Sequence, residues 1–299
     1  MVAPVPRAVC RFDWPSGLTL SVAYERTRER RFPYTEEWVR GEARAAWEYE
    51  ISADDDGLNV QVVGFARHIR PPTGTPSRIQ AASSPIFDLV YDAASSFLLS
   101  PAGNVLSVTD GHRIRRDVLR SLGPLDAVPP AVAQAVLLQV SDEVLLGRFQ
   151  DFWGALITLW SGGDFPIRQE ITFERPAPVP ALGGITVPML GRVQCLGASP
   201  PELGQAELRR FEFFSQPSPA SGAALMEVLT RRSGHFVGCE KYEQTVSGLL
   251  DTEPSTLIPA KLEMTRKLEV LYAAPGREFM EETETRRWRF RRVERLDDA

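Results

Sequence analysis

Three residue types are scarce in this chain of 299 residues: it has three cysteines and three histidines, and only three of its 34 basic residues are lysines. Cys10, Cys195 and Cys239 are odd in number and far apart, with no CxxC pair and no histidine at ligand spacing, so they read as isolated reduced thiols rather than a disulfide scaffold or a zinc site. With His68, His112 and His235 alone, a Ser-His-Asp or Cys-His site would have to recruit one of them across the fold, and no GxSxG elbow accompanies them. HExxH, GxGxxG and GxxxxGK patterns are absent as well. No cofactor and no metal are expected, and an enzyme is less expected than a binding protein.

Long apolar runs are missing too. None approaches the roughly 20 residues of a membrane helix, so no membrane span is expected. The start, MVAPVPRAVC, lacks the charged opening and apolar stretch of a signal peptide. As written the chain is expected to be cytoplasmic; it would be periplasmic or exported if a signal had been removed. A net charge of −5, mixed in sign, argues against a nucleic-acid partner. The excess of arginine over lysine follows the habit of a GC-rich genome, since arginines that bind phosphate or carboxylate would be expected to cluster.

What is present is a globular composition, 43% hydrophobic and 24% charged, enough for one large β-rich domain or two smaller ones. The most legible stretch runs from Pro85 to Leu122. Ile86–Tyr91 and Phe97–Leu99 are extended apolar runs, Ser100-Pro101-Ala102-Gly103-Asn104 turns, and Val105–Val108 resumes the strand, which predicts a β-hairpin. Thr109 or Asp110 can then cap a helix whose apolar face is Ile114, Val118, Leu119 and Leu122, stopped by Gly123-Pro124.

Further hairpins are predicted on either side. Ala8–Trp14 and Leu18–Glu25 flank Pro15-Ser16-Gly17, and Ala43–Ser52 and Leu58–Arg67 flank Ala53–Gly57. The aspartates at 54–56 supply too few ligands for a calcium loop and read as a turn. RTRERR, residues 26–31, reads as an exposed strand end or loop, and Pro71–Pro85 as a long surface loop. From Pro129 the pattern is helical, with a break expected at Gly147. The remainder of that helix is apolar nearly all round and must be buried against protein or against a bound apolar molecule. Phe149, Phe152, Trp153, Leu156 and Trp160 are therefore the candidate ligand-binding residues, with packing onto a sheet as the plainer reading.

Ser161–Asp164 marks a change of composition. It divides a sheet half at 1–163, with a helical insertion at about 110–161, from a second half at 164–299, the two expected to form one continuous domain. Strands are expected over Ile167–Phe173, Ile185–Val187, Gly191–Leu196, Leu208–Phe214 and His235–Ser247, with a short helix over Gly222–Arg232. The chain closes with a long hairpin, Leu262–Tyr272 and Glu278–Val293. The arginines at 286, 287, 289, 291 and 292 in its second arm read as the guard of an exposed edge strand, with an anion-binding patch as the other reading.

Phe97–Val108, with its Pro-Ala-Gly-Asn turn, and Asp251–Pro259, a D…T-L-x-P segment before a long strand, resemble bacterial lipoprotein-carrier-like half-barrels of the LolA/LolB type and families related to them. The resemblance implies an α+β fold: a strongly curved antiparallel β-sheet, half-barrel-like, with helices packed on the concave face and in some members a lipid or other apolar ligand. The function expected is non-catalytic binding or interaction, through an apolar cavity or a protein-docking surface formed by sheet and helix. A hydrolase using acidic residues on the concave face is the alternative, since the separation of paired acids is a property of the fold.

Overall fold

Period-two alternation of apolar and polar residues runs through most of the chain, and a large antiparallel sheet answers it. The computed structural model describes residues 5–31, 38–73, 94–121, 137, 140–179, 185–199, 207–222, 225–227, 239–272 and 279–293. In chain order the elements are β1 (Arg7–Val9), β2 (Thr19–Arg31), β3 (Trp38–Asp54), β4 (Gly57–Thr73), β5 (Phe97–Leu99) and β6 (Val105–Val108). Two helices follow, α1 (Gly111–Ser121) and α2 (Asp142–Trp153). Then come β7 (Asp164–Pro166), β8 (Glu170–Val179), β9 (Ile185–Ala198), β10 (Arg209–Pro217), β11 (Cys239–Thr252), β12 (Pro259–Tyr272) and β13 (Phe279–Arg292).

Eleven strands form one sheet in the order β6-β5-β4-β3-β2-β13-β12-β11-β10-β9-β8, every pairing antiparallel, while β1 and β7 make a separate two-stranded ribbon. Two meanders thus spread outwards from a central seam between β2 and β13. Among the described residues β6 and β8 stand at opposite edges and do not pair, so the sheet is not a closed barrel.

The hairpin predicted around Gly103 is present, with Phe97 opposite Val108 and Leu98 opposite Ser107. Its turn closes through the Ser100 N–H donating to the Asn104 carbonyl at 2.8 Å. Gly103 has φ +80°, and a Cβ there would lie 2.6 Å from Cγ of Phe12, so both backbone and neighbour require glycine. The helix α1 starts directly after Asp110 and buries Ile114 and Val118, as its spacing predicts. The expected side-chain cap differs: the Asp110 carboxylate accepts from the Arg113 guanidinium at 2.6 Å. The β3–β4 and β12–β13 hairpins also form as read.

Other expectations are corrected. Pro15-Ser16-Gly17 turns the chain, but the segment before it pairs as β1 with β7, because β2 is already bonded on both sides by β3 and β13. β13 is a central strand, not an edge, paired with β12 on one side and β2 on the other. RTRERR is the second half of β2 rather than a loop. Gly147 leaves α2 unbroken; the change comes at Gly154–Thr158, a π-helical turn in which the Leu159 N–H donates to the Gly154 carbonyl at 3.0 Å. The indole Nε1 of Trp160 donates to the Ala155 carbonyl at 2.7 Å inside that turn. Ile185–Val187 and Gly191–Leu196 belong to one strand, β9, and β8 begins only at Glu170, after Arg168 at φ +63°. Ile86–Tyr91, most of Pro71–Pro85, Pro129–Val136, His235 and most of Gly222–Arg232 lie outside the described residues.

Candidate functional site

Because each pairing around the seam is antiparallel and in register, residues can be read across β11, β12, β13, β2 and β3 as rows pointing to one face. The row Leu250, Leu262, Trp288, Tyr24, Ala45 is apolar and buried throughout. This is where the five helical candidates meet the sheet. Trp153 is 1% exposed, with its ring centroid 5.0 Å from Phe97 and 5.4 Å from Trp14, and its Nε1 donates to the Gly103 carbonyl at 2.6 Å. Phe149 stacks against Trp153 and lies 4.2 Å from Phe97. Leu156 and Trp160 are fully buried, the latter 4.9 Å from Phe211 of β10. Phe152 is half-buried, 4.9 Å from Trp288 of β13. Protein rings therefore pack against Phe149, Trp153 and Trp160, Leu156 is buried in the same core, and Phe152 lies where the apolar region ends.

One row further along the strands the chemistry changes. Arg286 faces Arg26, then Glu284 lies between Arg266 and Arg28, then Glu282 faces Arg30. The Arg28 and Arg266 guanidiniums reach Glu282 at 2.9 and 2.5 Å, and Arg30 pairs with the same carboxylate. Glu284 accepts from Arg286 at 2.7 Å and pairs with Arg266 at 3.2 Å and Arg26 at 3.7 Å. The Arg26, Glu282 and Glu284 side chains are at most 2% exposed, and those of Arg28, Arg266 and Arg286 at most 15%. Among the described residues, Glu282 and Glu284 thus each take several of the guanidiniums of Arg26, Arg28, Arg30, Arg266 and Arg286. Burial pushes the Glu284 carboxyl up, but the positive charges of Arg286, Arg266, Arg26 and Arg28 outweigh it and hold the group far below the usual carboxylate range.

Beyond this band the face is apolar again. Among the described residues the row Tyr242, Val270, Met280, with Leu268 and Met226, forms a small cluster of its own, separate from the main core. Tyr242 donates its hydroxyl to Gln244 Oε1 at 2.7 Å beside it. The arginine band is the feature sequence reading missed. The signal lay in the alternation Arg26, Arg28, Arg30 against Glu282, Glu284, Arg286, which acquires meaning only once β2 is known to pair with β13.

Elsewhere the residues offer less chemistry. Burial, helped by the nearby Cys195 and Asp164, pushes the Cys10 thiol up to about 12, and burial raises Cys195 as well, which disfavours the thiolate form of both. Both are free cysteines. His68 and His112 are exposed. Among the described residues no group of three or more His, Cys, Asp or Glu side chains could hold a metal ion, and no helix is long and apolar enough to cross a membrane. A pocket of about 380 Å³ opens beside the β3–β4 turn, with mixed walls that include Asp54, Asn59, Asp110 and Leu98, none of them in the arginine band.

No protein-family model matches the chain, and no curated protein matches it. Among solved structures it is similar to lipovitellin, in a study of lipid–protein interactions, at 9% identity and a TM-score of 0.44, with 96% of this chain aligned. It spans 27% of the lipovitellin chain. OpdQ of Pseudomonas aeruginosa aligns over 92% of this chain and 98% of its own at 9% identity and a TM-score of 0.20. At such scores neither likeness bears on what this protein does.

Proposed function

We propose that the protein is a non-catalytic binding protein that receives an apolar or amphipathic ligand on the inner face of its sheet. The sheet curves as a half-barrel, and the α2 segment closes one end of the concave side. Phe149, Trp153, Leu156 and Trp160 form that closed wall, and Phe152 is the helical residue that meets the ligand. The observation that carries this reading is the second apolar cluster, Leu268, Val270, Met280, Tyr242 and Met226, set apart from the main core on the same face. A sheet that needed only a core would be expected to join its apolar rows; here a charged band divides them.

The hydrolase alternative is weaker on chemistry. Among the described residues the acids buried on this face are Glu282 and Glu284 on one strand, both clamped by arginines, and Glu284 is held ionised. A carboxylate kept from protonation is unfit as a general acid. The test is titration of the purified protein with Nile red, a neutral apolar dye, alongside native mass spectrometry of protein taken from its source. Saturable fluorescence enhancement that is lost in Val270→Asp, with the variant still folded by circular dichroism, is the expected result. No enhancement and no co-purified apolar mass would overturn the reading.

A further inference from the structure

We propose that the pocket beside the β3–β4 turn is a binding site for a primary ammonium on a short apolar stem, the chemistry of a small diamine. The inference is independent of the inner-face reading and concerns residues which that reading does not use. The pocket forms where the ladder between β4 and β5 stops. The two strands pair only along Leu58–Val60, with Asn59 opposite Leu98. Past Val60 the Val62 N–H donates to the Ser96 Oγ at 3.0 Å, and the Thr109 N–H donates to the Ser96 carbonyl at 2.8 Å, so the chain is pinned beside the strand rather than bonded along it. The space left, about 380 Å³, is at the small end of ligand pockets, which run from about 300 to 1,000 Å³. Two carboxylates, Asp54 and Asp110, and two carboxamides, Asn59 and Gln61, line it together with hydroxyls, and no lysine, arginine or histidine does.

The charge on those walls is incompletely met. Asp110 is 9% exposed; its Oδ2 accepts from the Arg113 guanidinium at 2.6 Å, while its Oδ1 is buried and has no hydrogen-bond partner. Asp54, which begins the exposed run Asp54-Asp55-Asp56, accepts at Oδ1 from the Asp56 N–H at 3.3 Å, and none of the three aspartates has an ion-pair partner among the described residues. A cation seated at Asp54 answers that charge directly, and the uncompensated Oδ1 of Asp110 adds to the field it enters. An anion would meet only repulsion there, and a neutral polyol would gain nothing from the carboxylates beyond a hydrogen bond. A metal ion is poorly served, since calcium takes six to eight oxygens and the pocket offers two carboxylates. An ammonium is a compact point charge with three donors, which suits one carboxylate flanked by the amide oxygens of Asn59 and Gln61. Leu98, the apolar part of the wall, is left for the stem.

The experiment uses the full chain and three probes, 1,4-diaminobutane, its neutral counterpart 1,4-butanediol, and calcium, each measured by titration calorimetry and by the shift in thermal midpoint. The diamine is expected to bind at least about fivefold more tightly than the diol, the order of one partly exposed ion pair. Added salt should weaken the diamine and leave the diol unchanged, a comparison that needs no variant. Asp54→Asn keeps the Oδ1 acceptor for the Asp56 N–H and removes the charge, and should bring diamine and diol within about twofold of each other; Asp54→Glu should keep the preference. Glu212→Gln, at an exposed side chain of β10 in the other half of the sheet, is the control and should change neither. Equal binding of diamine and diol in the unaltered protein, a diamine preference that survives Asp54→Asn, or binding of neither would overturn the site. Calcium binding more tightly than the diamine would overturn the ammonium class and make the pocket a metal site.

Discussion

Replacing Trp153 with alanine should be the most damaging single change to the apolar end of the sheet. The side chain is 1% exposed, and it touches the rings of Phe12, Trp14, Phe97 and Phe149 at centroid distances from 5.0 to 6.5 Å. Truncation of a tryptophan so enclosed costs about 3–5 kcal/mol, because the neighbours come from a strand, a helix and the N-terminal segment and cannot all collapse into the space. The same truncation removes the N–H that reaches the buried Gly103 carbonyl at 2.6 Å, and a buried acceptor without its donor costs about 1–3 kcal/mol. Since the two effects overlap, about 4 kcal/mol is the expected total, near the upper limit for one substitution. Trp153→Phe separates them by keeping most of the ring, and should lose about 1–2 kcal/mol, mainly the hydrogen bond. Urea unfolding followed by circular dichroism measures both. A loss below about 1 kcal/mol for Trp153→Ala would refute the enclosure, and equal losses for the two variants would refute the division between ring and N–H.

Gly103→Ala should destabilise by more than about 1 kcal/mol, from the φ of +80° and the approach to Phe12; midpoints unchanged in thermal melts would contradict it. Gly248 lies opposite Phe213, and a Cβ would sit 2.4 Å from its ring and 2.5 Å from the Glu263 carbonyl, so Gly248→Val should abolish cooperative melting, which calorimetry would detect. The depressed Glu284 group stabilises the fold fully above its unfolded value of about 4.5, and that contribution fades as pH falls below it towards the folded value. Urea midpoints should therefore decline from about pH 4.5 downwards, less steeply in Glu284→Gln, whose own midpoint at pH 7 should already be reduced by the loss of a buried ion-pair partner. A parallel decline in both proteins would place the acid sensitivity elsewhere. Cys10 and Cys195 should resist a thiol reagent in the folded protein and react on unfolding; fast reaction of either in the native state would contradict their burial.

Local agreement between residue types made some elements readable and left others obscure. The Phe97–Val108 hairpin and the start of α1 rest on neighbours in sequence, a turn with glycine at positive φ and an apolar stripe at helical spacing, and these are the parts that came through. The arginines of β2 and β13 defeated the same approach. Alternate charged residues look like a solvated strand end from either segment alone, and their burial depends on a partner strand at the other end of the chain. The position of α2's distortion was obscure for a related reason: Gly147 and Gly154 are the same residue type and equal on propensity, yet the widened turn falls at Gly154, among Ala155, Leu156 and Ile157, which are buried in the core. The candidate site was legible on its helical side, in Phe152 and its neighbours, and illegible on its charged side.

The pairing of β2 with β13 has a consequence in time. Arg28 and Glu282 are 254 residues apart, whereas the neighbouring pairs on either flank are hairpins between strands close in sequence. During synthesis at about 5–20 residues per second, β2 waits roughly 13–50 s for the strand that will cover it. Through that interval its seam edge is bare, and a long bare edge is a template for joining another chain. Inward-pointing Arg26, Arg28 and Arg30 make a poor template for a second copy of themselves, since two such edges brought together would bury arginine against arginine. Only a strand carrying Glu282 and Glu284 in the matching register relieves that repulsion, so the band that sits at the centre of the finished sheet also chooses, while the chain is still being made, which strand may complete it.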